Sequence, residues 1–217
     1  MTDSLDGPRW GPAEGKRCDA LVLLLHGVGA DGFDLIDLAP GWGRAVPGAL
    51  FIAPHAPEPC DLAPYGRQWF SLTDRTPARM QAGVHAATTW LSPRIDALLQ
   101  EFGLDRGRLA VMGFSQGAMT ALALGLGDRR GCAALLAFSG ALLAPPLPDL
   151  ANPPPILLVH GEADLVVPVE AGRQAEQTLR ASGHAVEAVY RPMLAHGIDE
   201  VGISLGALAL QRALGPR

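Results

Sequence analysis

The stretch Leu109-Ala-Val-Met-Gly113-Phe-Ser115-Gln-Gly117-Ala-Met-Thr120 passes from an apolar β-rich run, through glycine-x-serine-x-glycine, into an alanine-rich segment of helical character. A serine at a tight strand-to-helix turn is held in a strained backbone that lifts its hydroxyl clear of a sheet. The glycines on either side leave room for the crossing chain, and the turn aims the amide of Gln116 at the place where an oxyanion forms. With 26 glycines and 7 serines among 217 residues, the bare motif arises by chance about 0.1 times, so its setting between strand and helix carries much of its weight.

Outward from this motif, short apolar runs alternate with longer helical stretches, the pattern of a mostly parallel sheet covered by helices on both faces. The strands expected are Ala20–His26, Ala49–Ala53, Leu109–Gly113, Ala134–Ser139, Ile156–His160 and Val186–Arg191. Several are continuously apolar, as strands covered on both faces are. Helices are expected loosely over Asp34–Trp42, over Ala78–Glu101 in one or two pieces with Pro93 as the expected break, and over Gln116–Leu126, Val169–Ser182 and Glu200–Leu214. Gly103, Gly127 and Gly183 stand where helices end and a left-handed residue is favoured. Glu58–Arg79 and the six-proline segment Ala144–Pro155 read as loops, the first holding Tyr65, Trp69 and Phe70.

Apolar residues make up 48% of the chain and charged ones 18%, a balance that excludes global disorder and fits one domain over residues 1–217. A net charge of −5 and the lack of a basic, aromatic-rich cluster argue against a nucleic-acid partner. Met1–Pro8 has neither a basic segment nor an apolar run, and the longest aliphatic run, Leu21–Leu25, is too short to span a bilayer. The expectation is a cytoplasmic protein without stable membrane association. Cys18, Cys60 and Cys132 lie far apart and form no metal-ligand or redox spacing. They read as packed hydrophobes, and no metal is expected.

A serine hydroxyl needs a base to become a nucleophile. In folds with this elbow the partners follow in the order serine, acid, histidine, which leaves His160, His184 and His196. His160 reads as a strand-terminal turn and His184 as an exposed turn residue. His196, in Met193-Leu-Ala-His-Gly197, lies on a loop just past the last strand, at the sheet edge that carries the serine. His160-Gly-Glu-Ala-Asp164 supplies two candidate acids, Glu162 and Asp164. The glycine-rich run His26-Gly-Val28-Gly-Ala-Asp31-Gly32 leaves the first strand where such folds supply a second oxyanion donor, here the amide of Val28. It matches neither dinucleotide nor P-loop spacing.

Together these residues resemble the phospholipase/carboxylesterase family of small α/β-hydrolases, which includes bacterial carboxylesterases and acyl-protein thioesterases. The resemblance runs through six ordered blocks: Leu25-His-Gly-Val-Gly29, Ala53-Pro-His-Ala-Pro57, Arg67-Gln-Trp-Phe70, Gly113-Phe-Ser-Gln-Gly117, His160-Gly-Glu-Ala-Asp164 with Val167-Pro168, and His196-Gly197. It implies an α/β-hydrolase fold without a large cap domain, a triad of Ser115, Asp164 and His196, and an oxyanion hole of the Val28 and Gln116 amides. It also implies substrate contacts from Trp69 and Phe70, no cofactor, and a small-molecule ester as substrate. His26 is expected to brace the oxyanion loop, and His55 and Ser139 to be structural. Asp61, Arg67, Asp74 and Arg75 in the aromatic loop favour small to medium esters over palmitoyl chains. Thioester and lysophospholipid cleavage and lactone opening stand as alternatives within the same chemistry, and a non-catalytic ligand-binding relative outside it. A homodimer is left open.

Overall fold

The computed structural model describes residues 4–215, so Met1–Asp3 of the amino-terminal segment lie outside the described residues. In chain order the elements are β1 (Arg9–Trp10), β2 (Ala20–Leu25), α1 (Ala39–Trp42), β3 (Ala49–Ile52), β4 (Glu58–Pro59), β5 (Arg67–Gln68), α2 (Pro77–Phe102), β6 (Leu109–Phe114), α3 (Gln116–Leu126), β7 (Ala134–Phe138), β8 (Ile156–Gly161), α4 (Val169–Ala181), β9 (Val186–Arg191) and α5 (Glu200–Leu214). Seven strands form one sheet in the order β1-β3-β2-β6-β7-β8-β9. Every pairing in it is parallel except the antiparallel edge pair β1–β3. This is the α/β-hydrolase arrangement that the motifs imply, and no described segment forms a cap domain.

Alternation along the strands divides the core in two. Leu21, Leu23 and Leu25 of β2 pack with Val84, Leu91, Ile95 and Leu98 of α2, Leu122 of α3 and Leu179 of α4. Ala20, Val22 and Leu24 face the other way, onto Trp42 of α1 and Leu210 and Leu214 of α5. Because both faces are covered, all six residues of β2 are buried, which accounts for its unbroken apolar run. Parallel pairing brings every carboxyl end of the central strands to one edge.

All six expected strands are present to within a residue at either end. The two-residue strands β1, β4 and β5 were not expected, since segments so short carry no periodicity. The expected break at Pro93 does not occur: α2 runs unbroken for 26 residues. Pro93 and Thr89 lie on the exposed face, where water can take the hydrogen bond that proline cannot donate, while Leu91 and Ile95 anchor the buried face on either side. The Asp34–Trp42 helix resolves into two 3-10 turns and a single α-helical turn containing Pro40 and Gly41. Gly103 and Gly183 are left-handed as expected, but Gly127, with φ −95°, is not. A Cβ there would lie 2.6 Å from the Ala123 carbonyl, so close approach is what selects glycine at that position.

His184, expected to be exposed, is buried after the end of α4, and its Nδ1 has no hydrogen-bond partner. Burial pushes its pKa below the ordinary histidine value. The unfolded chain therefore takes up a proton that the folded chain resists, and stability falls as pH drops through about 6.5. Urea unfolding midpoints should decline between neutral and mildly acid pH, and His184→Leu should flatten part of that decline; an unchanged slope counts against this account. A second test concerns the seat of α5. A Cβ on Gly206 would lie 2.5 Å from the fully buried Trp42 ring, whose Nε1 is fixed by a 2.8 Å bond to the Ile203 carbonyl. Gly206→Ala should lower the unfolding free energy by about 1–3 kcal/mol in the same assay.

Candidate active site

The elbow between β6 and α3 is built by crowding. Ser115 has φ 55° and ψ −118°, a conformation costing a non-glycine residue of order 1–3 kcal/mol. Its amide donates to the Phe138 carbonyl at 2.9 Å, and its carbonyl accepts from the Ala118 and Met119 amides. A Cβ on Gly117 would lie 1.9 Å from the Leu25 carbonyl oxygen, and one on Gly113 would lie 2.1 Å from the Gly117 carbonyl oxygen. Both glycines are thus fixed by backbone passing over backbone. Gln116 opens α3, where an amide has no acceptor within the helix.

The glycine-rich loop after β2 lies against this turn: a Cβ on Gly27 would approach the Ser115 Cβ at 3.5 Å. Buried His26 braces it. Its Nε2 accepts from the Ala56 amide at 3.1 Å, so Nδ1 carries the hydrogen and donates to the Gly27 carbonyl at 2.7 Å. Burial pushes its pKa down, in keeping with this neutral tautomer. His55 is structural in the same sense, its Nδ1 accepting from the Gly32 amide at 3.1 Å. Ser139, buried and with φ 50°, directly follows β7.

The Glu58–Arg79 loop folds onto both pieces. Gly29 donates to the Arg67 carbonyl and Arg67 to the Ala30 carbonyl, each at 2.8 Å, so the β4–β5 hairpin grips the segment containing Val28. The Gln116 side chain accepts from the Trp69 amide at 2.9 Å and donates to the Phe70 carbonyl at 2.6 Å. The Trp69 indole N–H reaches the His26 carbonyl at 2.8 Å. Trp69 and Phe70 are only 2% and 4% exposed, so they present a packed wall rather than an open contact surface. Arg67 and Asp61, expected to colour the substrate surface, are spent within the loop, on the Ala56 and Pro57 carbonyls and on Gln68 and Ser71 respectively.

At the ends of β8 and β9 the two remaining candidates meet. His196 Nδ1 lies 2.7 Å from Asp164 Oδ2, while Asp164 Oδ1 accepts from the Val166 and Val167 amides at 2.8 and 2.9 Å. Burial works against the Asp164 charge, but the bonds from His196 and the two amides outweigh it and hold the carboxyl below its usual range. With Oδ2 as acceptor, Nδ1 bears the hydrogen and Nε2 is left free to accept a proton. Glu162 is turned away, paired with Arg173 at 2.9 Å, so geometry separates the two acids. The Phe114 ring, next to Ser115, lies tilted against the His196 ring with centroids 4.8 Å apart. Gly161 lets the two loops touch, since a Cβ there would lie 2.2 Å from the Leu194 carbonyl oxygen.

Sequence reasoning missed three features here: the clamp made by the Gln116 side chain, the approach of His160 to Asp164 at 3.4 Å, and a rim of exposed apolar side chains. Only the second left a trace in sequence, the four-residue spacing. The rim comprises Phe33, Leu62, Tyr65, Leu165, Val166 and Met193, all on loops that follow carboxyl ends of strands, with Leu165 95% and Met193 92% exposed. No group of three or more His, Cys, Asp or Glu among the described residues is placed to hold a metal, and no described helix is long and apolar enough to cross a membrane. Burial pushes the Cys132 thiol up to about 12, as for a packed side chain.

Similar proteins agree with this architecture. A model of the phospholipase/carboxylesterase family matches residues 13–205. Esterase YpfH of Escherichia coli K12 is 29% identical over 185 residues, 85% of this chain and 78% of that protein. Acyl-protein thioesterase 1 of Neurospora crassa is 27% identical over 199 residues, 83% and 81% respectively. The crystal structure of esterase PE8 superposes with a TM-score of 0.90 at 35% identity, covering 98% of this chain and all of that one. SOBER1 of Arabidopsis thaliana, at 24% identity and a TM-score of 0.80 over 90% of this chain and 99% of that one, shares the fold. Sequence blocks, sheet order and the elbow lead to one conclusion: the chain belongs to the phospholipase/carboxylesterase family of α/β-hydrolases.

Proposed function

We propose that the protein is a serine carboxylesterase in which Ser115 is the nucleophile, His196 the base and Asp164 the residue that orients it. The observation that carries this reading is the 2.7 Å His196–Asp164 bond at the sheet edge occupied by the strained serine. His196 Nε2 takes the Ser115 proton as the oxygen attacks the ester carbonyl, and Asp164 favours the imidazolium that forms. The amides of Val28 and Gln116 receive the oxyanion. His196 then returns the proton to the departing alcohol, leaving an acyl-serine. Water, deprotonated by the same histidine, releases the carboxylic acid and restores Ser115. Trp69, Phe70 and the Gln116 side chain serve by joining the two oxyanion segments into one rigid unit.

Because Trp69 and Phe70 fill the space beside Gln116, the acyl part lies along the open face, which supports small to medium acyl groups. A second reading, cleavage of longer acyl esters or thioesters, is favoured by the apolar rim, above all Leu165 and Met193. A chain laid across such side chains gains about 0.8 kcal/mol per buried methylene.

Two experiments test these assignments. Incubation with a fluorophosphonate should add one adduct to the intact protein. Ser115→Ala should remove both the adduct and turnover while leaving the melting temperature nearly unchanged, and persistent turnover would sink the assignment. A p-nitrophenyl series from acetate to palmitate, run beside an acyl-thioester series, should peak at short to medium length. A maximum at long chains, or a preference for thioesters, transfers the conclusion to the second reading.

A further inference from the structure

The triad scheme gives His160 no task. It is the next-to-last residue of β8 and its side chain is 3% exposed. Its Nε2 lies 2.8 Å from the Val167 carbonyl oxygen and 3.4 Å from Asp164 Oδ2. Both neighbours only accept, so Nε2 carries a hydrogen whatever the charge of the ring. On the other edge, α4 offers Gly172, so near that a Cβ would sit 2.7 Å from Nδ1. The packing fixes the ring from behind and directs its N–H toward the acid loop.

Few charged groups surround this ring. Leu122 of α3, Ala137 of β7 and Gly172 and Ala175 of α4 line the small space beside it. Tyr190 of β9 is in register with His160, but its hydroxyl is committed to Glu176 at 2.7 Å. Arg173 lies over the Tyr190 ring. Asp164 is the carboxylate within ion-pair distance, and His196 is reached through it.

We propose that His160 is a positioning residue for ester hydrolysis, holding through the Val167 carbonyl the turn whose amides grip Asp164. This rests on the reading of Ser115, His196 and Asp164 as the triad. The two amides gripping Oδ1 are those of Val166 and Val167, in the links immediately before the Val167–Pro168 peptide whose carbonyl oxygen His160 pins. Nε2 also lies 3.4 Å from Oδ2, within ion-pair distance but without a hydrogen bond. Without His160 those two amides slacken, the Asp164 charge is less satisfied and favours the imidazolium of His196, which then serves as a base only at higher pH.

The test compares His160→Phe, which keeps the ring shape and loses the N–H, with His160→Gln, whose amide places a donor near Nε2. His160→Phe should lower kcat/KM roughly tenfold and move its acid limb upward by about half a pH unit, and His160→Gln should restore most of both. An unmoved acid limb in His160→Phe, or a glutamine variant no better than phenylalanine, overturns the proposal. Should the phenylalanine variant fail to fold, 15N shifts of the wild-type ring decide the matter. A ring protonated at Nε2 whose signals respond as His196 titrates supports the proposal, and one protonated at Nδ1 alone or blind to that step overturns it. Ser115→Ala, measured in parallel, separates the two levels: turnover surviving in it defeats the triad reading, whereas the ring's tautomer does not depend on turnover.

Discussion

The site depends on one steric constraint, the passage of the β6–α3 turn over the end of β2. With the Leu25 carbonyl where a Gly117 Cβ would be, the two backbones sit closer than any side chain permits. That closeness forces Ser115 to φ 55° and brings its hydroxyl, the first amide of α3 and the glycine-rich loop to one point. Strain of this kind survives only where the surroundings over-determine it. Here the Ser115 amide is tied to β7, and its carbonyl is taken into the first turn of α3.

The oxyanion side is held by buried polar groups that satisfy one another. Gln116, His26 and Trp69 together bond to Trp69 and Ala56 amides and to Phe70, Gly27 and His26 carbonyls, joining three loops distant in sequence. Each such group left unpaired would cost about 1–3 kcal/mol, so the network is stable only as a whole. It keeps the two proposed donor amides from drifting apart before any substrate arrives, which is where preorganised donors gain over water.

The acid side works by a different balance. Asp164 is buried, and burial alone opposes its charge, yet His196 and two backbone amides reverse the outcome. Outside this dry carboxylate the surface turns apolar at Leu165, Val166 and Met193. The loops that carry the proposed acid and base thus also carry exposed apolar side chains.

The sequence by itself determined the mostly parallel sheet, its covering helices and the strand-to-helix turn that holds Ser115, and it supplied the proposed order serine, acid, histidine. Continuous apolar runs, helical periodicity and the glycine-x-serine-x-glycine turn are local signals that survive without knowledge of neighbours. It also picked out His26 as the brace of its loop. Tertiary structure alone decided whether Pro93 breaks a helix, because solvent on one face and Leu91 and Ile95 on the other settle that question. It also gave a physical reason for Asp164 over Glu162, which the family resemblance had favoured: Asp164 meets His196 while Glu162 pairs with Arg173. It buried His184, Trp69 and Phe70, turned Arg67 inward, and set His160 against Asp164. All of these are facts about residues that meet from different loops, and no local pattern records a meeting of that kind.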